Sequence, residues 1–306
     1  MVKPPALKPG DLIGVIAPAS NVKLDWLAAG TRELERRGFR VIHRADIGAK
    51  ARYTAGTLQR RLAEFHEIWM NPEVKAVIAA RGGYGTMHLL PHLDAARLSA
   101  QPKIFVGYSD LTALHLFLWR ACRLVTFHGP MVAKDFSAGT AHYDWDSFCR
   151  LTMDAQPAGT LTSPHVETLI GGHASGVLVG GCLSLVAALV GTPWQLDTAG
   201  TVLFLEDTAT KPYQIDRLLQ QLYLAGQLDR VAGFVFGEMS DCVQHAEQGY
   251  HLAEVIHDLI RPLGVPAIYG WRSGHSDVGN RTLPCGVRVT LDARAGTLTV
   301  TEAAVA

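Results

Sequence analysis

The chain has 306 residues, 48% of them hydrophobic and 18% charged, with 28 basic and 28 acidic side chains. That length allows two domains of the usual ~100–200 residues, and that composition can bury a core without disulfides or metal. With zero net charge and no Lys/Arg cluster, it offers no surface for nucleic acid or membrane, and no stretch approaches the ~20 apolar residues of a membrane span.

The first 130 residues alternate strand-like and helix-like segments. Leu12–Ala17 reads as a strand, too short for a signal-peptide core and with Asp11 interrupting its entry. Lys23–Arg37 reads as a helix ended at Gly38, Phe39–His43 as a short strand, and Thr57–Met70 as a helix with Leu58, Leu62, Phe65 and Trp69 on one face. Val74–Ala80 is a third strand, followed by Arg81-Gly82-Gly83-Tyr84-Gly85. Ile104–Val106, a helix opening near Ser109, and Leu124–Phe127 complete the set. Such alternation predicts a parallel sheet covered by helices, with functional loops at the carboxyl ends of its strands. Between Val132 and Pro164 the periodicity weakens, and a linker or crossover is expected there. We expect an N-terminal α/β domain over 1–135, a linker over 136–165 and a mixed α/β domain over 166–306.

In the second half, Gly176–Val179 reads as a strand leading through Gly180-Gly181 into the apolar helix Leu183–Val190. Thr201–Leu205 is a buried strand ending at Glu206-Asp207, and Pro212–Leu224 a helix with proline in its first turn. Val231–Phe236 is a strand, Leu252–Ile260 a helix, and Val287–Leu291 with Thr297–Thr301 a terminal hairpin. The five cysteines are odd in number and include no Cys-x-x-Cys pair. This usage fits a reducing compartment, and the cytoplasm is the expected location.

Three positions carry candidate chemistry. In Gly107-Tyr108-Ser109-Asp110-Leu111-Thr112-Ala113-Leu114, a serine sits where a strand turns into a helix whose Leu111, Leu114, His115, Leu118 and Cys122 recur at helical spacing. That is the setting of a nucleophile elbow, though Leu111 stands where the last glycine of Gly-x-Ser-x-Gly would be. Ser109 or Asp110 could equally serve as the helix N-cap. Glu206 closes an apolar strand, as a partner for a cation or as a turn cap. His275 lies in the polar loop Ser273-Gly274-His275-Ser276-Asp277, one of 13 histidines. A serine hydroxyl needs a base, and an imidazole base needs a carboxylate to fix its tautomer. Ser109, Glu206 and His275 supply those types in that chain order. An oxyanion needs donors, for which the N–H of Asp110 and one from Gly82 or Gly83 are candidates; the glycine loop reads equally well as a tight turn. Metal is a poor alternative: Pro91 breaks the His88/His92 spacing and there is no His-Glu-x-x-His. The glycine loop is neither a dinucleotide fingerprint nor a P-loop.

The pieces Arg81–Gly85, Gly107–Leu114 and His128-Gly129-Pro130 are joined by Gly180-Gly181, Leu183-Ser184-Leu185, Gly191-Thr192-Pro193 and Glu206-Asp207. Pro212-Tyr213, Ile215-Asp216-Arg217, Gly274-His275, and Asn280 with Leu283-Pro284 follow. In this order, across nearly the whole chain, they resemble the LD-carboxypeptidases, a serine peptidase family that includes the microcin C immunity peptidases. The resemblance implies an amidotransferase-like or flavodoxin-like N-terminal domain and a smaller mixed α/β C-terminal domain. It implies Ser109 as nucleophile, His275 as base then acid, and Glu206 as its orienter, with Asp110, Gly82 and Gly83 forming the oxyanion hole. It implies removal of the terminal D-alanine from murein tetrapeptide by a cytoplasmic homodimer that needs no metal or cofactor. Arg81, Tyr84 and Arg272 are candidates for substrate binding from their loop positions. Two residues depart from the family pattern: Cys182 stands where Asn is usual, and Thr210 where a second acid often follows Glu206. An immunity peptidase acting beside a nucleotide, and a silent peptide-binding relative, are the alternatives. The compact 306-residue length favours the murein enzyme over the first, and the presence of all three triad residue types argues against the second.

Overall fold

The computed structural model describes every residue except Ala246 and Asp277. Its strands are β1 (Leu12–Ile16), β2 (Arg40–Ile42), β3 (Val74–Ala79), β4 (Ile104–Gly107), β5 (Thr126–His128), β6 (Gly159–Thr162) and β7 (Glu167–Ile170). They continue with β8 (His173–Cys182), β9 (Thr201–Thr208), β10 (Gly233–Ser240), β11 (Ala267–Trp271), β12 (Leu283–Cys285), β13 (Arg288–Asp292) and β14 (Thr297–Val300). The helices are α1 (Leu24–Arg36), α2 (Leu58–Met70), α3 (Ala95–Ser99), α4 (Thr112–Cys122), α5 (Trp145–Thr152), α6 (Leu183–Ala188), α7 (Pro212–Leu224) and α8 (Leu252–Ile260).

The first sheet has the order β12-β5-β4-β3-β1-β2. Its first five strands in sequence pair in parallel in the order 2-1-3-4-5, the flavodoxin-like arrangement. β1 and β4 are continuous apolar runs, and β3 is apolar apart from the exposed Lys75 near its start, because helices cover both faces. The sixth strand, β12, comes from the far end of the chain and runs antiparallel on β5, with Leu283 opposite His128. The expected two-sheet α/β architecture is therefore present, with a late segment returning to complete the first sheet.

The second sheet has the order β6-β14-β13-β8-β9-β10-β11-β7. β8, β9, β10 and β11 are parallel, and the remaining pairings are antiparallel. The segment 136–165 holds α5 and the edge strand β6. Its weak apolar periodicity reflects a short helix and an edge strand with two exposed residues. β9 runs on through Glu206 to Thr208, beyond the expected end, because Cys182 of β8 and Met239 of β10 continue its ladders.

Candidate active site

The site is built at the carboxyl ends of β3, β4 and β5, where a doubly wound sheet places its ligands. β4 ends at Gly107, and Ser109–Leu111 forms one tight 3₁₀ turn before α4. Ser109 is held at φ 64°, a left-handed conformation that costs a non-glycine residue roughly 1–2 kcal/mol. This strained turn lifts the hydroxyl above the sheet.

The hydroxyl is not a helix cap. Ser109 Oγ lies 3.1 Å from His275 Nε2. Asp110 does not cap the helix either, contrary to the sequence expectation: its Oδ2 accepts from the Thr86 N–H at 2.8 Å. The reason is tertiary. The buried Asp110 carboxylate ties the turn to the segment after the glycine loop, where it also faces Arg61.

His275 Nδ1 is 2.7 Å from Glu206 Oε2, and the His275 N–H approaches the same oxygen at 3.3 Å. Serine, imidazole and carboxylate therefore form one continuous chain. Glu206 is fully buried. Burial alone would push its carboxyl up, but the imidazoles of His275 and His128 outweigh it and hold the group down at about 2. For His275, burial opposes the imidazolium, while the carboxylates of Glu206, Asp207 and Asp135 lift it above its ordinary value. Asp135 is itself buried, which raises it to about 6, although it accepts from the Met131 N–H, Asn280 and Tyr108.

Glycine is required at two positions around this chain. A Cβ at Gly82 would fall 2.8 Å from Ser109 Cβ, so the Gly82 backbone lies against Ser109. Gly274 has φ +95°, and a Cβ there would fall 2.7 Å from Glu206 Cδ. Asp110 and Gly82–Gly83 thus flank Ser109 on either side. The glycine loop is itself anchored: buried Arg61 donates to the carbonyls of Pro18 and Gly85 at 2.7 Å each.

A cleft of about 440 Å³ opens over Ser109 and His275. Lys23, Arg81 and Lys134 line it beside Trp26, and among the described residues no carboxylate does. Arg81 is the one sequence-predicted substrate residue in this lining. Tyr84 stands at the surface edge-on to Tyr53, and Arg272 pairs with Glu238 at 3.3 Å. Sequence reasoning gave no role to Lys134 or Trp26. Lys134 follows the His128-Gly129-Pro130 motif by four residues, which was the available signal. Asp277, read as part of the histidine loop, lies outside the described residues.

The two departures from the family pattern lie just behind the site. Cys182 donates its backbone N–H to Thr112 Oγ1 at 2.9 Å, while its thiol faces Asp207 at 3.8 Å. Thr210 donates to Asp207 Oδ1 at 2.9 Å, and Ser184 to Oδ2 at 2.7 Å. Among the described residues, no group of three or more His, Cys, Asp or Glu side chains could hold a metal ion. Among the same residues, no helix is long and apolar enough to cross a membrane.

Sequence profiles of the LD-carboxypeptidase N-terminal and C-terminal domains match residues 13–129 and 175–291. The chain is 38% identical over 292 residues to a probable murein peptide carboxypeptidase of Bacillus subtilis, covering 95% of this chain and 91% of that one. It is 29% identical over 326 residues to the microcin C7 self-immunity protein MccF of Escherichia coli, covering 96% and 94%. A structure of MccF with aspartyl sulfamoyl adenosine, 25% identical, superimposes with a TM-score of 0.92 over 100% of both chains. The muramoyltetrapeptide carboxypeptidase of Oxalobacter formigenes is 32% identical, with a TM-score of 0.85 over 95% of this chain and 99% of that one. The chain belongs to the LD-carboxypeptidase family, and it is a serine-type carboxypeptidase.

Proposed function

We propose that the protein is an LD-carboxypeptidase that releases the terminal D-alanine from murein tetrapeptide, at the bond after the L-centre of meso-diaminopimelate. The observation that carries this reading is the unbroken Ser109–His275–Glu206 chain at the floor of a cleft lined by three cations. A peptide ending in a free carboxylate, with further carboxylates along it, matches that charge.

In this mechanism Ser109 Oγ attacks the scissile carbonyl carbon as His275 Nε2 takes its proton. Glu206 holds the imidazole in the tautomer that allows this and faces the imidazolium that forms. The N–H groups of Asp110 and the Gly82–Gly83 loop hold the tetrahedral oxyanion. His275 then delivers its proton to the leaving D-alanine nitrogen, and the C–N bond breaks to leave an acyl-serine. Water, deprotonated by His275, hydrolyses this ester and restores Ser109. Arg81 and Lys134 hold the substrate's carboxylates. The enzyme works in cytoplasmic cell-wall recycling as a homodimer. Five unpaired cysteines, four of them buried, agree with a reducing compartment, and the dimer follows from the family resemblance.

The test is incubation with murein tetrapeptide, pentapeptide and an aspartyl sulfamoyl nucleoside, with mass spectrometry of the products. Loss of one alanine from the tetrapeptide alone is expected; cleavage confined to the nucleoside would overturn the proposal. Ser109→Ala should lower kcat by at least about 10⁴-fold with the fold intact by circular dichroism. The immunity-peptidase reading gains from the half-exposed Trp26 at the cleft, an aromatic wall of the kind that could hold a base. One face of that indole is already covered by Lys23 Nζ, 4.1 Å from the ring centroid, which leaves the murein reading ahead.

A further inference from the structure

The carboxylate of Glu206 uses only one of its oxygens on His275. The other, Oε1, is buried without a hydrogen-bond partner among the described residues. So is Nε2 of His128, and the two atoms are 3.7 Å apart. Both side chains are completely buried. An unpaired buried donor or acceptor is destabilising, more so when charged. Two such atoms facing one another in a closed site are each other's natural partner. A closure of about 0.7 Å brings them to ordinary hydrogen-bond length.

The far side of the ring sets its tautomer. His128 Nδ1 is 3.0 Å from Ser273 Oγ. If Nδ1 carried the proton, the bare Nε2 lone pair would face the ionised Glu206. If the Ser273 hydroxyl donates to Nδ1, the proton sits on Nε2 and points at Oε1. Of the two neutral tautomers, only the second is electrostatically favourable. The ring has little room to turn: Phe204 meets it edge-on with centroids 4.9 Å apart, and Tyr108 and His115 pack on it at 5.9 and 6.3 Å. His115 is held neutral by its own burial, which lowers it to about 3, so no second cation competes for Glu206 on that side.

We propose that His128 is a positioning residue for the catalytic carboxylate: its Nε2–H, fixed by the Ser273 hydroxyl, is the donor that holds Glu206 Oε1 and so aims Oε2 at His275. Strand β5 thereby contributes to a site whose acid comes from the other sheet. Ser273 stands two residues before His275, so a single loop supplies both the base and the hydroxyl that sets the tautomer of its helper. The proposal rests on Ser109, His275 and Glu206 acting as the relay described above.

The test has two parts. In the wild-type protein labelled with ¹⁵N-histidine, NMR should show His128 protonated at Nε2 with a slowly exchanging proton; protonation at Nδ1 overturns the proposal. The second part compares His128→Phe/Ser273→Ala, which keeps a ring and leaves no orphan hydroxyl, with His128→Gln, which retains an N–H donor of similar reach. Removing the positive end of the N–H dipole favours the imidazolium. The His275 midpoint, followed by NMR, should therefore rise by roughly half a pH unit in the Phe variant and return in the Gln variant. Glu206, Asp207, Asp135 and Tyr108 face His275 in all forms, so the difference isolates His128. On murein tetrapeptide the Phe variant should lose about 10- to 100-fold in kcat with KM held within about twofold, and Gln should restore most of it. An unmoved midpoint, or equal losses in the Phe and Gln variants, overturns the proposal. Glu206→Gln separates the two levels: if it retains turnover, the relay itself fails and His128's role falls with it. If it is inactive while His128→Phe/Ser273→Ala behaves as wild type, only the role of His128 fails.

Discussion

Ser109 holds a backbone conformation that most side chains avoid, and its hydroxyl lies 3.1 Å from His275 Nε2. Strain of this kind persists where the surroundings over-determine it. Here the Gly82 backbone on one side and the Asp110–Thr86 bond on the other supply that constraint. The same residues set the pH behaviour. In the proposed mechanism His275 must be neutral to take the serine proton, and the facing carboxylates raise it above its ordinary value near 6.5. A raised value means that the imidazole is already charged at a higher pH than usual. The acid limb of kcat/KM should therefore lie above pH ~6.5, with activity falling as the pH drops through it. A pH–rate profile checks this, and a limb well below 6 would refute the assignment of His275 as base.

The elements act as mounts of differing stiffness. β9 is a central strand: Glu206 pairs with Cys182 of β8, and its neighbours Leu205 and Asp207 pair with Phe236 and Met239 of β10 across a register shift, which fixes its position. His275 sits instead on the loop after β11, and the close approach of Gly274 to Glu206 brings the imidazole and the carboxylate together. Gly274→Ala should push the carboxylate off the imidazole and lower kcat about 100-fold, more than it raises KM; steady-state kinetics would show the split. The turn Val132–Phe136 closes a π-type bond from the Phe136 N–H to the Met131 carbonyl at 3.2 Å. It turns Asp135 into the interior and leaves Lys134 exposed in the cleft lining. Such irregular turns recur at functional sites. A hydrogen bond to a charged group is worth ~1.5–3 kcal/mol, so Lys134→Met should raise KM for tetrapeptide about tenfold with kcat little changed. An unchanged KM would remove Lys134 from the substrate site.

Across the whole molecule the two sheets share their interior. One apolar cluster joins Phe105 and Leu114 to Leu203 and Phe236, and a second joins Ile13 and Phe127 to Trp271 and Val289. β12 sits in the first sheet, and the chain leaving it bonds to β8 of the second through Gly286 N–H to Leu178 O at 2.7 Å. Shared burial of this extent makes unfolding of one sheet expose the other. Calorimetry should show one transition with equal van't Hoff and calorimetric enthalpies, and two resolved transitions would contradict the shared core.

The local signals were strong where burial and periodicity coincide. β1, α2, β3 and the helix after Ser109 could be read from apolar spacing, and α7 from its leading proline, because those patterns record which face is covered. The residue types of the relay were legible too, since a serine nucleophile requires a base and an orienting acid. Short elements such as β6, β12 and α5 were not legible, because three to eight residues carry too little periodicity to rise above loop composition. Ser109, Glu206 and His275 are separated by 97 and 69 residues in the chain. Only the packing of strands of the second sheet behind the loops that follow β3 and β4 of the first brings their atoms within 3.1 Å. The sequence by itself determined the layered α/β pattern and the chemistry the residues can perform. The tertiary structure alone decided that Asp110 bonds across to Thr86 rather than capping its helix, that Lys134 faces the cleft and that His128 faces Glu206, because each depends on contacts between segments distant in the chain.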